Sequence, residues 1–153
     1  MIAALQTLRG VRHVVAATVV SELGTFTRFA HPRLLMGYSG LVPCERSSGG
    51  STWRGGITKM GNAHLRRVLI EAAWAYRHGP YVGGDLQRRQ RGQRGQPAAI
   101  TAVAWQAQRR LCGRFRHLLA RGKPRPQVAT TVARELLGFL WAIGCEAERL
   151  ATA

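Results

Sequence analysis

Apolar residues that recur at intervals of three and four constrain the fold of this chain more than any other feature of its sequence. The clearest run follows Asn62, a residue type that favours the N-cap position, and continues to about His78. Its apolar positions are Leu65, Val68, Leu69, Ala72, Ala73 and Tyr76. Similar runs begin near Val11, in a helix that is predicted to end at Gly24, and near Ile100 and Val128. The spacing predicts an all-α, compact multi-helix domain of about five helices.

Length and hydropathy predict one domain without a membrane segment. A chain of 153 residues, of which 46% are hydrophobic, lies within the usual size of one domain, about 100–200 residues, and can bury a core. Its first residues lack a basic segment followed by an apolar run and a cleavage site. No apolar run approaches the roughly 20 residues that span a bilayer. We therefore expect residues 1–153 to form a single cytoplasmic domain with no membrane partner.

The stretch SSGGSTWRGGITKMGN, from Ser47 to Asn62, interrupts the helical pattern. It follows a short helix that is predicted from Pro32, a good first residue, to Gly40. Its glycine pairs allow backbone conformations in which successive N–H groups point at one anion, and they would also allow a short hairpin. The sequence predicts either a Gly/Ser-rich basic loop that holds a phosphate or a surface turn with solvated cations.

Charge indicates a polyanionic partner. The chain has 23 basic and 7 acidic residues, a net charge of +16, which favours nucleic acid. No acid lies between Glu45 and Glu71, and twelve basic residues with no acid lie between Asp85 and Glu135. The candidate DNA-binding residues in the loop and on either side of it are Arg46, Gly49, Gly50, Arg54, Lys59, Asn62, Arg66 and Arg67.

Metal-ligating patterns are missing from the sequence. Cys44, Cys112 and Cys145 have no CxxC spacing and are an odd number, so we expect reduced thiols rather than a zinc site or disulfides. The five histidines show no ligand spacing, and the few carboxylates poorly supply a two-metal site. The sequence predicts no metal and no cofactor in this chain.

Two further predictions concern the surface. The segment RRQRGQRGQP, Arg88 to Pro97, is polar, basic and punctuated by glycine, which is typical of a mobile connection that nucleic acid could order. Trp53 would either stack on a base or pack against its own loop. The other three tryptophans lie on or near apolar helical faces and are predicted to be core residues: Trp74, Trp105 and Trp141.

Residues 29–78, FAHPRLLMGYSGLVPCERSSGGSTWRGGITKMGNAHLRRVLIEAAWAYRH, resemble the C-terminal domain of the IS110-type DEDD transposases of bacterial insertion sequences. The resemblance begins in LRGVRHVVAATVVSELG and continues through WQAQRRLCGRFRHLLARGKPRPQVATTVARELLGFLWAI, so it covers nearly the whole chain. Its most specific runs are GLVPCERSSGG and GGITKMGNAHLRR.

The resemblance implies a recombinase with an N-terminal RuvC-like domain, which bears metal-binding acids, and a C-terminal domain with a serine nucleophile. Only the second is expected here, with Mg²⁺ in the first. The serine role falls on Ser48, directly before the glycine pair, with Ser47 as the alternative. This serine would attack the DNA backbone and hold a covalent link during strand exchange. The implied partners are element ends, target DNA, a structured noncoding guide RNA and further subunits.

Departures from the family pattern leave a second function open. Ser51 follows the glycine pair where many relatives have a basic residue, and Cys44 stands where serine is common. Without the RuvC-like domain the chain is expected to bind DNA but not to cleave it alone. The alternative is a non-catalytic nucleic-acid-binding remnant that interferes with intact transposases, and a basic RNA-binding protein is a third reading.

Overall fold

Two long antiparallel helices, α6 (Ala98–Ala120) and α7 (Arg125–Thr152), form the frame of the computed structural model. It describes residues 1–48, 50–92 and 95–152, and for residues 46–48 and 51–54 the description covers the backbone only. The remaining elements are the helices α1 (Ile2–Leu5), α2 (His13–Leu23), α3 (Pro32–Tyr38), α4 (Ala63–Ala73) and α5 (Gly84–Arg91), a 3₁₀ helix (Trp74–Arg77), and the strands β1 (Pro43–Ser48) and β2 (Ser51–Ile57). The predicted mostly helical domain with a short hairpin is confirmed.

Helix α7 is the centre of the core and packs against α6, α4, α3 and α1. Its buried residues recur at three and four, as one broad apolar face requires: Val128, Ala129, Val132, Ala133, Leu136, Leu137, Leu140, Ile143 and Gly144. Removing this face from water is the main force that holds the smaller helices in place.

The apolar length of α7 corrects one sequence prediction. By length and composition alone this helix could cross a membrane, and half of its apolar window is buried within the fold. The expectation that no run approaches that length is therefore wrong for α7. Because α7 contacts four other helices, its apolar face is covered by protein.

Helix boundaries follow the predicted signals. Helix α2 ends at Gly24, whose φ of 66° is unfavourable for residues with a side chain. Pro32 occupies the first turn of α3, and the side chain of His31 caps that helix by accepting a hydrogen bond from the Arg33 amide, 3.1 Å away. The α4 pattern continues beyond Ala73 as the 3₁₀ helix. The predicted start of α3 is confirmed, but α3 ends at Tyr38 rather than at Gly40 and α2 begins at His13 rather than at Val11. The His31 cap was not predicted.

Residues 88–91 contradict the prediction of a connection there, because they complete helix α5. The Arg89 guanidinium lies inward and donates from Nη1 to the carbonyls of Gln6 (2.8 Å) and Val11 (2.9 Å). Burial lowers the pKa of Arg89, while the nearby Asp85 carboxylate opposes that shift. Residues 88–91 therefore attach to the fold by hydrogen bonds to backbone, while Leu86 is the buried apolar residue of the same helix.

The tryptophans divide between core and surface. Trp74 packs near Phe115 with 6.2 Å between ring centroids, and Trp141 donates from Nε1 to the carbonyl of Phe29 at 3.0 Å. Trp105 is 44% exposed, so its assignment to the core is wrong. The side chain of Trp53 lies outside the described residues.

Phe26 joins the segment after α2 to the C-terminal half of α7. Its ring is fully buried and lies against Gly144, where a Cβ atom would be 2.3 Å from the ring. The Glu148 carboxylate accepts hydrogen bonds from the backbone amides of Phe26 (2.7 Å) and Thr27 (2.9 Å). A glycine and a carboxylate on one helix therefore fix both the ring and the backbone of this segment.

Replacing Glu148 with glutamine is expected to reduce the dependence of stability on acid pH. Burial acts to raise the pKa of Glu148, but the hydrogen bonds from Phe26 and Thr27 outweigh it, so the pKa lies below its ordinary value of 4.5. The unfolded state then binds the proton more tightly, so this contribution to stability is present above the ordinary pKa and is lost as the pH falls through the folded pKa. Thermal unfolding followed by circular dichroism should show a lower Tm for Glu148→Gln near neutral pH. The Tm of this variant should also fall less steeply as the pH is lowered.

Glu71→Gln is the matched control, since it removes an exposed carboxylate from α4. The fall of its Tm with decreasing pH should follow that of the unmodified protein. If the Tm of Glu148→Gln fell with decreasing pH as steeply as that of the unmodified protein, Glu148 would not contribute to the acid dependence of stability.

Candidate nucleic-acid interface

The predicted serine lies at the tip of an antiparallel hairpin. Strands β1 and β2 pair Ser47 with Thr52 and Ser48 with Ser51, so only two residues connect the strands. Gly50, the second of them, has a φ of 98°, the positive value that tight hairpin turns require and glycine accepts readily. The structure therefore places Ser48 at the last paired position before the turn.

Several predicted site residues lie outside this description. Gly49 is among the residues that are not described, and the side chains of Arg46, Ser47, Ser48 and Arg54 are outside the described part as well. Their roles in nucleophilic attack and DNA binding stay predictions.

The base of the hairpin is joined tightly to the helical body. A Cβ atom on Gly40 (φ 68°) would lie 2.1 Å from the carbonyl oxygen of Met60, and one on Gly61 (φ 107°) would lie 2.2 Å from that of Tyr38. Only glycine therefore fits at both positions. The amide of Asn62 also donates to the Tyr38 carbonyl at 2.9 Å. These contacts fix the direction in which the hairpin leaves the domain.

Asn62 and Arg66 hold the start of α4. The Asn62 side chain accepts from the Leu65 amide at 2.9 Å, which confirms the predicted N-cap, and donates to the Glu22 carboxylate at 2.5 Å. Arg66 donates from Nη1 to the carbonyl of Ser39 at 3.1 Å. The described bonds of both side chains are internal to the fold, so any DNA contact would have to share these groups.

Lys59 faces a groove between the hairpin base and α7. The groove, here called the hairpin groove, has a volume of about 370 Å³. Lys59 is exposed and has a φ of 56°, which is unusual for a residue with a side chain. On the opposite wall Arg134 of α7 supplies a second cation. The described residues that line the groove include no acid, so the groove suits an anion.

The other groove residues limit which donors an anion would meet. Thr130 and Thr131 donate their hydroxyl protons to the carbonyls of Pro126 and Gln127, each at 2.9 Å. They can offer only lone pairs, which a phosphate does not need. On the hairpin wall Gly55 and Gly56 have no side chains to occupy the space. Among the described side chains of the groove, the donors for a phosphate are therefore the two cations and the Gln127 amide.

The structure brings only part of the predicted set together. Lys59 lines the hairpin groove, whereas Arg67 is exposed on α4 and is not among the lining residues. Sequence reasoning missed Arg134. A signal existed, because Arg134 ends the acid-free run before Glu135, but only the position of α7 across the groove from the hairpin shows which cation of that run faces the groove.

Two of the described carboxylates are paired with arginines of their own helices. Asp85 lies 3.4 Å from Arg89, and Glu146 lies 2.6 Å from Arg149. Within residues 1–48, 50–92 and 95–152 no group of three or more His, Cys, Asp or Glu side chains is placed to hold a metal ion. All three cysteines are free thiols, and Cys112 is buried. This described part therefore does not fit the ligand set of a Mg²⁺ site.

Comparisons with known proteins relate this chain to transposases. The model of the Transposase IS116/IS110/IS902 family matches residues 2–87. "Putative transposase y4qE" of Sinorhizobium fredii is 48% identical over 149 residues, which are 97% of this chain and 37% of the relative. The transposase for insertion sequence element IS1111A of Coxiella burnetii is 38% identical over 71 residues, 46% of this chain and 20% of the relative. The chain thus spans between a fifth and just over a third of these relatives.

Proposed function

Because this chain belongs to the IS116/IS110/IS902 family of transposases, we propose that it binds DNA and supplies the serine nucleophile for strand cleavage and exchange in DNA transposition. The observation that carries the proposal is the hairpin, which presents Ser48 beside its turn and forms one wall of a cationic groove at its base. A strand bound in the groove would lie along the same hairpin that bears the serine.

The proposed reaction is a transesterification. The Ser48 hydroxyl oxygen attacks the phosphorus of a phosphodiester and loses its proton to a base, while one deoxyribose oxygen leaves and takes up a proton. The serine–phosphate ester keeps the energy of the broken bond. Attack on that ester by a deoxyribose hydroxyl of another strand releases the serine and joins the DNA.

Cations beside the phosphate would stabilise this reaction. Negative charge grows on the phosphate oxygens during attack, and guanidinium or ammonium groups that are already in position lower its cost. Among the predicted residues Arg54, Lys59 and Arg67 are the candidates for this role. Lys59 lines the hairpin groove, whereas the side chain of Arg54 is outside the described part. Mg²⁺, held by the acids of a RuvC-like domain, would supply Lewis-acid activation of the phosphate.

The proposed partners follow from this function and from the family resemblance. Element ends and target DNA are the substrates, and a RuvC-like domain, a structured guide RNA and further subunits complete the assembly. We place this activity in the cytoplasm, at the nucleoid. The excess of basic residues supports polyanionic partners of this kind.

DNA binding is expected to weaken steeply with salt, and neutralising the groove cations should reduce that dependence. If about four phosphates are neutralised, log K falls against log salt with a slope near −3.6, since each contact contributes about −0.9. Replacing Lys59 and Arg134 together with glutamine should change the slope to about −1.8. Fluorescence anisotropy with duplex DNA at several salt concentrations measures both slopes.

Arg149→Gln is the control, because this arginine is paired with Glu146 on α7 and does not line the hairpin groove. Its slope should match that of the unmodified protein. An unchanged slope in the Lys59/Arg134 double variant would show that the groove does not hold phosphates, and a flat response of the unmodified protein would contradict DNA binding itself.

A further inference from the structure

Trp105 exposes an aromatic ring on a helix that already has a complete buried face. Helix α6 buries Ile100, Ala104, Ala107, Gln108, Leu111, Cys112 and Phe115. Trp105 lies outside this set, 44% exposed, in a shallow depression of about 460 Å³ that Arg109 and Arg110 also line. Core packing does not explain an indole at this position. Exposed aromatic rings of this kind are suited to binding a flat partner.

The depression continues along α6 as a basic trough. A second depression of about 370 Å³ shares Arg110 with the first and adds Arg114 and Gly113. Together they form what we call the α6 trough, which extends from position 102 to position 117, about 22 Å along the helix axis. Glu135 on α7 is the acid in its lining, and it lies 3.1 Å from Nε of both Arg110 and Arg114. The carboxylate accepts a hydrogen bond from Arg110 and forms an ion pair with Arg114, and the trough stays net positive.

Gly113 keeps the middle of the trough open. Glycine in a helix interior lowers helix stability relative to alanine. A Cβ atom at Gly113 would meet no other atom within 4 Å, so neighbouring packing does not require glycine there. Its absent side chain leaves the surface of α6 free for close approach.

We propose that the α6 trough binds unpaired nucleotides, with one base stacked on Trp105 and the adjoining phosphates bound by Arg109 and Arg110. A base face is flat and apolar and matches an exposed indole, and arginine binds phosphate with two parallel hydrogen bonds. In a duplex the base faces are covered by their neighbours, so a single strand can use Trp105 and a duplex cannot. DNA and RNA offer the same chemistry to this surface.

This inference rests on the proposed nucleic-acid binding but concerns a different face of the domain. The hairpin groove lies between the hairpin and α7, whereas the trough lies along α6. Substitutions in one surface therefore leave the residues of the other unchanged.

The test compares single strands with a duplex. Affinity of the full chain for labelled single-stranded DNA and RNA of about 15 nucleotides, and for a duplex of the same length, is measured by fluorescence anisotropy. We expect Trp105→Ala to weaken binding of a single strand about tenfold, and the duplex by less than about twofold, since the phosphate contacts remain. Trp105→Phe should restore most of the single-strand affinity, because a ring is again present. A loss with only one of DNA and RNA identifies the source and still supports the trough.

Two more variants guard against trivial outcomes. Gly113→Leu fills the trough without removing a charge and improves helix propensity, so it should fold and also weaken single-strand binding. Tyr81→Ala removes another exposed ring, near Asp85, and should have no effect.

Equal losses for single strand and duplex in Trp105→Ala would overturn the proposal. Unchanged single-strand affinity in Trp105→Ala would overturn it as well. If the sedimentation mass of this variant also fell, Trp105 would belong to a contact with a second copy of the chain. Failure of the unmodified chain to bind any nucleic acid would instead contradict the proposed function.

Discussion

Replacing Ser48 with alanine is expected to abolish the covalent link between protein and DNA while leaving DNA affinity within about twofold, because the change removes one hydroxyl and no charge. The assay places this chain in the corresponding segment of the full-length Sinorhizobium relative, with which it aligns over 97% of its residues. The chimera is mixed with element-end DNA, and a denaturing gel shows whether an adduct forms. Loss of a nucleophile typically costs several orders of magnitude in rate, so the Ser48→Ala adduct should fall below detection.

The hairpin supplies matched serine controls. Ser51 is the cross-strand partner of Ser48, and Ser47 precedes it. Ser51→Ala and Ser47→Ala should both form the adduct. If Ser47→Ala were the only serine variant without an adduct, Ser47 would be the nucleophile. An unmodified chimera that binds DNA without an adduct, although the intact relative forms one, would contradict the catalytic role and favour a non-catalytic protein that occupies DNA or joins transposase assemblies.

Replacing Gly144 with alanine is expected to lower the free energy of unfolding by about 2–3 kcal/mol. The new Cβ atom would lie 2.3 Å from the ring of Phe26. That ring has no space in which to move, because it is fully buried and its backbone amide is bound to Glu148. For a domain of this size the loss corresponds to a Tm lower by roughly 5–10 °C, measured by thermal unfolding.

Gly138 on the same helix provides the control. A Cβ atom there would lie 3.4 Å from the terminal methyl group of Met36, the flexible end of a side chain that can move aside. Because alanine is favoured over glycine in a helix by about 1 kcal/mol, Gly138→Ala should leave the Tm unchanged or raise it. Equal Tm values for the two variants would mean that the contact between Phe26 and α7 is not as close as the structure shows.

Local signals predicted most of the helices. The N-cap at Asn62, the proline at the start of α3 and the glycine after α2 act within one helical turn, so their effects can be read from neighbouring residues. For residues 88–91 the local sequence predicts a connection, whereas the structure has a helix that depends on long-range contacts. Its helix is held by bonds from Arg89 to carbonyls about eighty residues earlier in the chain, and such bonds leave no periodic pattern.

The candidate site divides in the same way. The hairpin could be anticipated because glycine pairs and basic residues are local features of the sequence. The hairpin groove could not, since Lys59 and Arg134 are separated by 75 residues and face one groove only because α7 lies across it from the hairpin. The spacing of Trp105 predicts a core position because it resembles that of a buried residue, but whether such a face is covered depends on which helix packs there.

The sequence by itself determined the helical class, the family, the positions of the caps and the excess of positive charge, because each depends on residue type and short-range spacing. Only the tertiary structure decided which cations share a surface, which carboxylates serve the fold and which aromatic ring stays exposed. The physical reason is that helix formation depends on hydrogen bonds within four residues. Burial and charge proximity depend instead on contacts between residues that are distant along the chain, such as Glu148 with Phe26 and Arg110 with Glu135.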